Sequence, residues 1–262
     1  MIKLVVTDVD GTLLDDKSEL SELNRQALSD CKKNGIGVIL ATGKSIQSIK
    51  FIIDALELKL PQITLNGTVV IDSSATIIHS ILIGSRMYYE LINVIKKQGH
   101  KPLAALTDGN IYYDSYDPNY SVYEKVNEPI HKTDRLEKDE FSKNCVSVGC
   151  AIKEDDPLDS YLRKKYSGRL NIVRSGQYFF DIMSGRASKG NALHHIIQDT
   201  HIKRSEVAVF GDSPNDMSMF DYAGMRIAVK NSFAEILEKA DYITDENYNS
   251  GLAKAIYKYI LK

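Results

Sequence analysis

The stretch Ile2-Lys3-Leu4-Val5-Val6-Thr7-Asp8-Val9-Asp10-Gly11-Thr12 constrains this chain more than any other. A nearly continuous apolar, β-branched run has no polar face to offer water, so it predicts a strand buried on both sides of a sheet. Gly11 then marks a turn. Residues 18–35 repeat Leu20, Leu23, Ala27 and Leu28 at helical spacing, with Ser18 or Ser21 as N-cap and Gly35 as stop. Residues 37–42 read as a second buried strand and 45–56 as a second amphipathic helix. Strand, helix, strand, helix at this spacing describes parallel βαβ units, hence an α/β fold built on an open parallel sheet.

The same theme returns late in the chain. Residues 188–201 read as a helix, 206–212 as an apolar strand, 215–224 as a short helix closed by Gly224, 226–229 and 241–244 as short strands, and 251–262 as an amphipathic helix. Between the two halves the texture changes. Residues 84–186 hold 10 of the 15 tyrosines and carry the turn signals Asp108-Gly109-Asn110 and Ser175-Gly176-Gln177 between strand-like runs, with helical segments near 87–98 and 157–166. This pattern predicts an α+β domain at 84–186 inserted into a core made of 1–83 and 187–262. The inserted tyrosines Tyr112, Tyr113, Tyr116, Tyr120 and Tyr123 are expected mostly as core aromatics of that insert.

Ligands of open α/β sheets bind beyond the carboxyl ends of the strands, so the residues there carry the functional reading. They are Asp8-Val9-Asp10-Gly11-Thr12, Thr42-Gly43-Lys44 and Gly211-Asp212-Ser213-Pro214-Asn215-Asp216. If the three strands are neighbours, four carboxylates converge, and such crowding calls for a cation. Mg²⁺ suits them, since it prefers oxygen ligands and shares its shell with water and phosphate. No His or Cys sits beside these aspartates, which disfavours Zn²⁺. Thr42 and Gly43 stand between a strand and a helix, where free backbone N–H groups, a hydroxyl and the helix dipole suit a phosphoryl oxygen. Lys189 opens its helix, a position that opposes the macrodipole and needs a phosphate or Asp216 to explain it. Each piece alone also has a plain reading as a turn or helix cap; their shared placement favours a phosphate and metal site.

Other motifs fail on spacing. Gly43-Lys44-Ser45 resembles the end of a P-loop, but Val38 stands where that motif needs glycine, and Gly35-Ile36-Gly37 lacks the third glycine of a dinucleotide fingerprint. His194 and His195 read as helix-face residues. The three cysteines, Cys31, Cys145 and Cys150, form no CxxC pair and read as buried thiols. With 33 Lys+Arg against 35 Asp+Glu, the formal charge is -2, which gives no footprint for nucleic acid. No signal peptide or membrane span is apparent, so a cytoplasmic protein with a small-molecule partner is expected.

These residues resemble the haloacid dehalogenase (HAD) superfamily, in its Cof-type branch of small-molecule phosphatases. The match runs through VTDVDGTLL, ATGK, LNGTVVI, FDIMSGRASKGNAL, VFGDSPNDMSMF, AGMRIAVKN and ADYIT. The resemblance implies a Rossmann-like hydrolase core, with residues 84–186 as a C2B-type cap domain. It implies Asp8 as nucleophile and Asp10 as general acid/base. Mg²⁺ would be bound by the carboxylates of Asp8 and Asp212 and the backbone carbonyl of Asp10. Thr42, Gly43, Lys189, Asn215 and the Val9 backbone would bind phosphate, Asp216 would orient Lys189, and Asn66 would lie near the site. Lys44 departs from the Arg common in this family and loses the bidentate fork. The expected reaction is Mg²⁺-dependent hydrolysis of a small phosphorylated metabolite, a sugar phosphate, through an aspartyl phosphate. The alternatives are a phosphomutase and a non-catalytic regulatory protein that senses a phosphorylated metabolite.

Overall fold

The structure, a computed structural model, describes residues 1–125, 128–153, 155–175 and 179–261. The first apolar runs form strands Leu4–Thr7 (β1) and Gly37–Leu40 (β2). A hairpin unit follows: Gln62–Thr64 (β3), Val69–Ile71 (β4) and Ile77–Ser80 (β5). The middle of the chain supplies Pro102–Leu106 (β6), Ile111–Tyr113 (β7), Ile130–Lys132 (β8), Cys145–Ala151 (β9), Leu170–Ser175 (β10) and Phe179–Ser184 (β11). Val207–Gly211 (β12), Met225–Ala228 (β13) and Tyr242–Ile243 (β14) come last.

Strands β14, β13, β12, β1 and β2 lie side by side in that order, all parallel. Val5, Val38, Leu40 and Phe210 pack with Ala27 and Leu28 of helix Glu22–Lys33 and with Ile49 and Ile52 of helix Ile46–Ala55. Leu4, Val6, Ile39, Val207 and Val209 point the other way, onto Leu193 and Ile196 of helix Lys189–Asp199. Both faces are dry, which is why these strands read as unbroken apolar runs rather than alternating ones. Each such buried aliphatic side chain contributes about 1.5–3 kcal/mol.

One helical expectation is corrected. Leu23 is exposed, and Asn24 takes the inward position of helix Glu22–Lys33. Its amide donates to the Leu13 carbonyl, and its oxygen accepts from the Ala253 N–H, so a polar side chain stitches the helix to two other segments. Ser21, rather than Ser18, is the N-cap, and it accepts from the Asn24 N–H. The helix expected over 251–262 is α-helical over Gly251–Ala255 and widens into a π-helix over Ile256–Ile260.

The middle strands form a separate six-stranded sheet, ordered β10-β11-β9-β6-β7-β8 and antiparallel except for β7 with β8. Helices Ser85–Lys97 and Pro157–Lys165 cover one face, placing Tyr88, Leu91, Ile95, Leu158 and Leu162 against Val148, Cys150, Phe180 and Ile182. Leu103, Ala105, Ser147 and Gly149 alternate onto the opposite face and roof a cleft over the parallel sheet. Tyr113, Tyr116, Tyr120 and Tyr123 form a chain of ring contacts, with Tyr120 fully buried. Asp108-Gly109-Asn110 is the β6–β7 turn; Gly176 and Gln177 of the second expected turn lie outside the described residues.

All three cysteines are free and buried, and burial pushes their thiols up, Cys31 to about 12, which leaves them unreactive. Among the described residues no helix is long and apolar enough to cross a membrane.

Candidate active site

Register brings the three polar strand ends together. Thr7 pairs with Phe210 on one side and Leu40 on the other, so Asp8, Ala41-Thr42 and Asp212 leave the sheet along one edge. The turn after β1 needs Gly11, whose φ is +76° and where a Cβ would sit 2.7 Å from Asp212 Oδ2. Thr12 then returns its hydroxyl to Asp212 Oδ1 at 2.6 Å. Thr12 was not singled out in the sequence, although it stands in the Asp-Gly-Thr string itself.

Lys189 is buried at the start of its helix and donates to Asp8 Oδ1 at 2.6 Å and Asp216 Oδ1 at 2.7 Å. Asp216 Oδ2 accepts from the Asp212 and Ser213 N–H groups at 3.0 and 3.1 Å. The lysine that opposes its own helix dipole is therefore held by two carboxylates from different strand ends. Ser188 caps the helix by accepting from the Asn191 N–H. The β3–β4 hairpin presses against this helix start: Gly67 has a φ of +84°, and a Cβ there would lie 2.2 Å from the Ser188 carbonyl oxygen.

The electrostatics follow from burial. Burial pushes the Asp8 carboxyl well above the usual range; Lys189 pulls it back, while Asp216, Asp212 and Asp10 push it further. Asp212 rises to about 6, mainly by burial and then by Asp216, against the restraint of Thr12, Lys189 and a hydrogen bond with Asp8. Burial also acts to lower the Lys189 pKa, but Asp216 and Asp8 outweigh it and hold the ammonium above the usual lysine range. Buried carboxyls crowded this closely mark a place where a divalent cation would relieve their mutual repulsion.

Asp8, Asp212 and Asp216 each offer an oxygen within 4.8 Å of one another. The donor set is all oxygen, as Mg²⁺ requires. Asp216 has both oxygens committed to Lys189 and two amides, which leaves Asp8 and Asp212 as the side chains suited to a metal.

The remaining expected residues lie around this centre. The Thr42 N–H donates to the Ile63 carbonyl, so Thr42 offers its hydroxyl and not, as expected, its amide. The Gly43 N–H has no protein partner among the described residues, and a Cβ at Gly43 would crowd the Asn66 amide at 3.2 Å. Asn66, with a φ of 56°, accepts from the Asn215 amide at 2.9 Å, and Asn215 in turn accepts from the Ser213 hydroxyl at 2.8 Å. The Val9 carbonyl accepts from the Leu13 and Leu14 N–H groups and anchors the turn. Asp10 is half-exposed and pairs with Lys44 Nζ at 3.2 Å.

Asp8, Asp10, Gly43, Lys44, Asn66 and Asn215 border a cleft of about 1290 Å³ between the parallel sheet and the six-stranded sheet. Glu128 reaches across it: its Oε1 accepts from the Ser45 N–H at 3.1 Å, at the start of helix Ile46–Ala55. Burial raises its pKa, while the Ser45 and Ser48 hydrogen bonds and Lys44 pull it down. Glu128 and Ser45 are 83 residues apart, and no local signal in the sequence links them.

Comparison with known proteins agrees with this architecture. YxeH of Bacillus subtilis is 31% identical over 100% of this chain and 99% of its own. The 5-amino-6-(5-phospho-D-ribitylamino)uracil phosphatase YcsE of the same organism is 26% identical, over 99% of this chain and 96% of its own. The crystal structure of a haloacid dehalogenase-like hydrolase from Bacteroides thetaiotaomicron superposes with a TM-score of 0.87 at 26% identity, covering 98% of this chain and 99% of that one. The family model for haloacid dehalogenase-like hydrolases matches residues 5–256, and the chain belongs to that family.

Proposed function

We propose that this hydrolase is a Mg²⁺-dependent phosphatase of a small phosphorylated metabolite, a sugar or polyol phosphate, working through an aspartyl phosphate on Asp8. The observation that carries the reading is the buried Lys189 clamped between Asp8 and Asp216 at 2.6 and 2.7 Å. A cation held there beside a carboxylate nucleophile suits a transferring phosphoryl group. The ribityl phosphate named for YcsE supports a polyol ester as substrate. In this reading residues 84–186 form a cap that closes the cleft and excludes water, and the reaction fits a cytoplasmic metabolite.

Asp8 attacks phosphorus in line, forming an acyl phosphate as the ester P–O bond breaks. Asp10 gives its proton to the departing alkoxide, then takes one from the water that attacks the acyl phosphate, releasing inorganic phosphate and restoring Asp8. Lys189 and the Gly43 N–H hold phosphoryl oxygens, and Asp216 keeps Lys189 aimed at them. The carboxylates of Asp8 and Asp212 with the Asp10 carbonyl would hold Mg²⁺. When bound, the ion would neutralise charge on the phosphoryl oxygens.

Phosphate release from a panel of phosphomonoesters tests the reading. Asp8→Asn is expected to lower turnover by more than ~10³-fold while the protein stays folded. Turnover near the wild-type rate would remove Asp8 from the nucleophile's role.

A further inference from the structure

The cap-side wall of the cleft contains one carboxylate oxygen that the fold leaves incomplete. Glu128 is 8% exposed, and its Oε1 is committed to Ser45, yet Oε2 is withdrawn from solvent and has no hydrogen-bond partner among the described residues. Buried oxygens in native folds nearly always have a donor, so an orphan in a ligand cleft asks for one from outside the chain. Glu128 lines the same cleft as Asp8, Lys44, Tyr123 and Asn66, the cleft into which the leaving group of an ester attacked by Asp8 would extend.

The charges around it narrow the class. Among the described residues two cations line the cleft, and each already faces a carboxylate: Lys44 faces Asp10 at 3.2 Å, and Arg174 faces Asp159 at 3.1 Å. Asp181 lines the same wall as Glu128. A second anionic group on the substrate would meet the carboxylates of Glu128 and Asp181 there, whereas a hydroxyl or amine would meet acceptors.

We infer that Glu128 is a specificity-determining residue whose Oε2 accepts a hydrogen bond from a hydroxyl or amine of the leaving group, selecting neutral, donor-rich phosphate esters over those carrying a second anion. This inference rests on the phosphatase reading and adds to it the residue that reads the alcohol half of the substrate. The same carboxylate touches helix Ile46–Ala55 through Ser45, so a leaving group bound at Oε2 also rests against the cap's contact with the core.

The test compares matched esters: sorbitol 6-phosphate against 6-phosphogluconate, and glycerol 3-phosphate against 3-phosphoglycerate. The readout is the ratio of kcat/KM for the polyol ester to that for its carboxylate partner. The wild type is expected to favour the polyol member, and Glu128→Gln to lower the ratio about 10- to 100-fold, the worth of one hydrogen bond to a charged group. Glu128→Asp keeps the charge but withdraws it by a methylene, and is expected to fall between the two; it serves equally if the Gln variant folds poorly. A ratio unchanged within about twofold in the variants, whether both rates fall or neither does, would overturn the assignment. So would a wild type that prefers the carboxylate esters, or one that turns over p-nitrophenyl phosphate but none of the polyol esters. Failure to hydrolyse p-nitrophenyl phosphate as well would instead sink the phosphatase reading, and this inference with it.

Discussion

At the scale of single residues, the site is a set of buried charges that satisfy one another only in part. Lys189 is the positive charge that Asp8 and Asp216 share. Lys189→Met leaves Asp216 buried without its partner and is expected to cost about 3–5 kcal/mol in urea unfolding, with activity lost as well. Unchanged stability would mean that the triad is not buried as described. Asp212 gives the pH dependence its sign. Because its folded pKa is raised to about 6, its protonated form adds stability that is complete below the unfolded carboxyl pKa and is lost as pH rises through about 6. A divalent ion needs that carboxylate ionised. The gain in Tm from saturating Mg²⁺ is therefore expected to be larger near about pH 7.5 than near about pH 5. Equal gains at both, measured by thermal melts against an EDTA control, would contradict a metal held by Asp212.

At the scale of elements, the strands that carry chemistry were the easiest to read. β1, β2 and β12 are covered on both faces, so their sequences are apolar throughout and stop abruptly at Asp8, Thr42 and Asp212. β8 left no such mark, because Ile130–Lys132 is a short edge strand with two exposed residues and no alternation to detect. The inward face of helix Glu22–Lys33 was misread at Leu23 because the buried place belongs to Asn24, a polar residue whose hydrogen bonds exist only once Leu13 and Ala253 arrive. Asn66 and Gly67 make the turn between β3 and β4, and Asn66 also lines the cleft. Gly67→Ala would force a Cβ into the Ser188 carbonyl in a backbone conformation that alanine resists. It is expected to destabilise by more than about 2 kcal/mol, and to lower activity by moving the hairpin off the helix that carries Lys189. Urea unfolding and phosphate release, measured on the same variant, check both effects.

At the scale of the molecule, two sheets from different parts of the chain face one cleft. The parallel sheet gathers Asp8, Thr42, Lys189, Asp212 and Asp216, and the six-stranded sheet supplies the opposite wall. The first group was legible because a parallel sheet delivers its strand ends to one edge whatever their separation in sequence. The second was not, since Glu128 meets Ser45 only through the packing of one sheet over the other. The account turns on phosphoryl transfer to Asp8, and borohydride trapping measures that transfer directly. Asp10→Asn protein with Mg²⁺ and acetyl phosphate, whose leaving group needs no proton, should accumulate the acyl phosphate for want of a base to activate water. Reduction should then convert the residue at position 8 to homoserine, identified in its peptide by mass spectrometry. Steady release of phosphate with position 8 unmodified, or the reduced residue found elsewhere, would contradict the account.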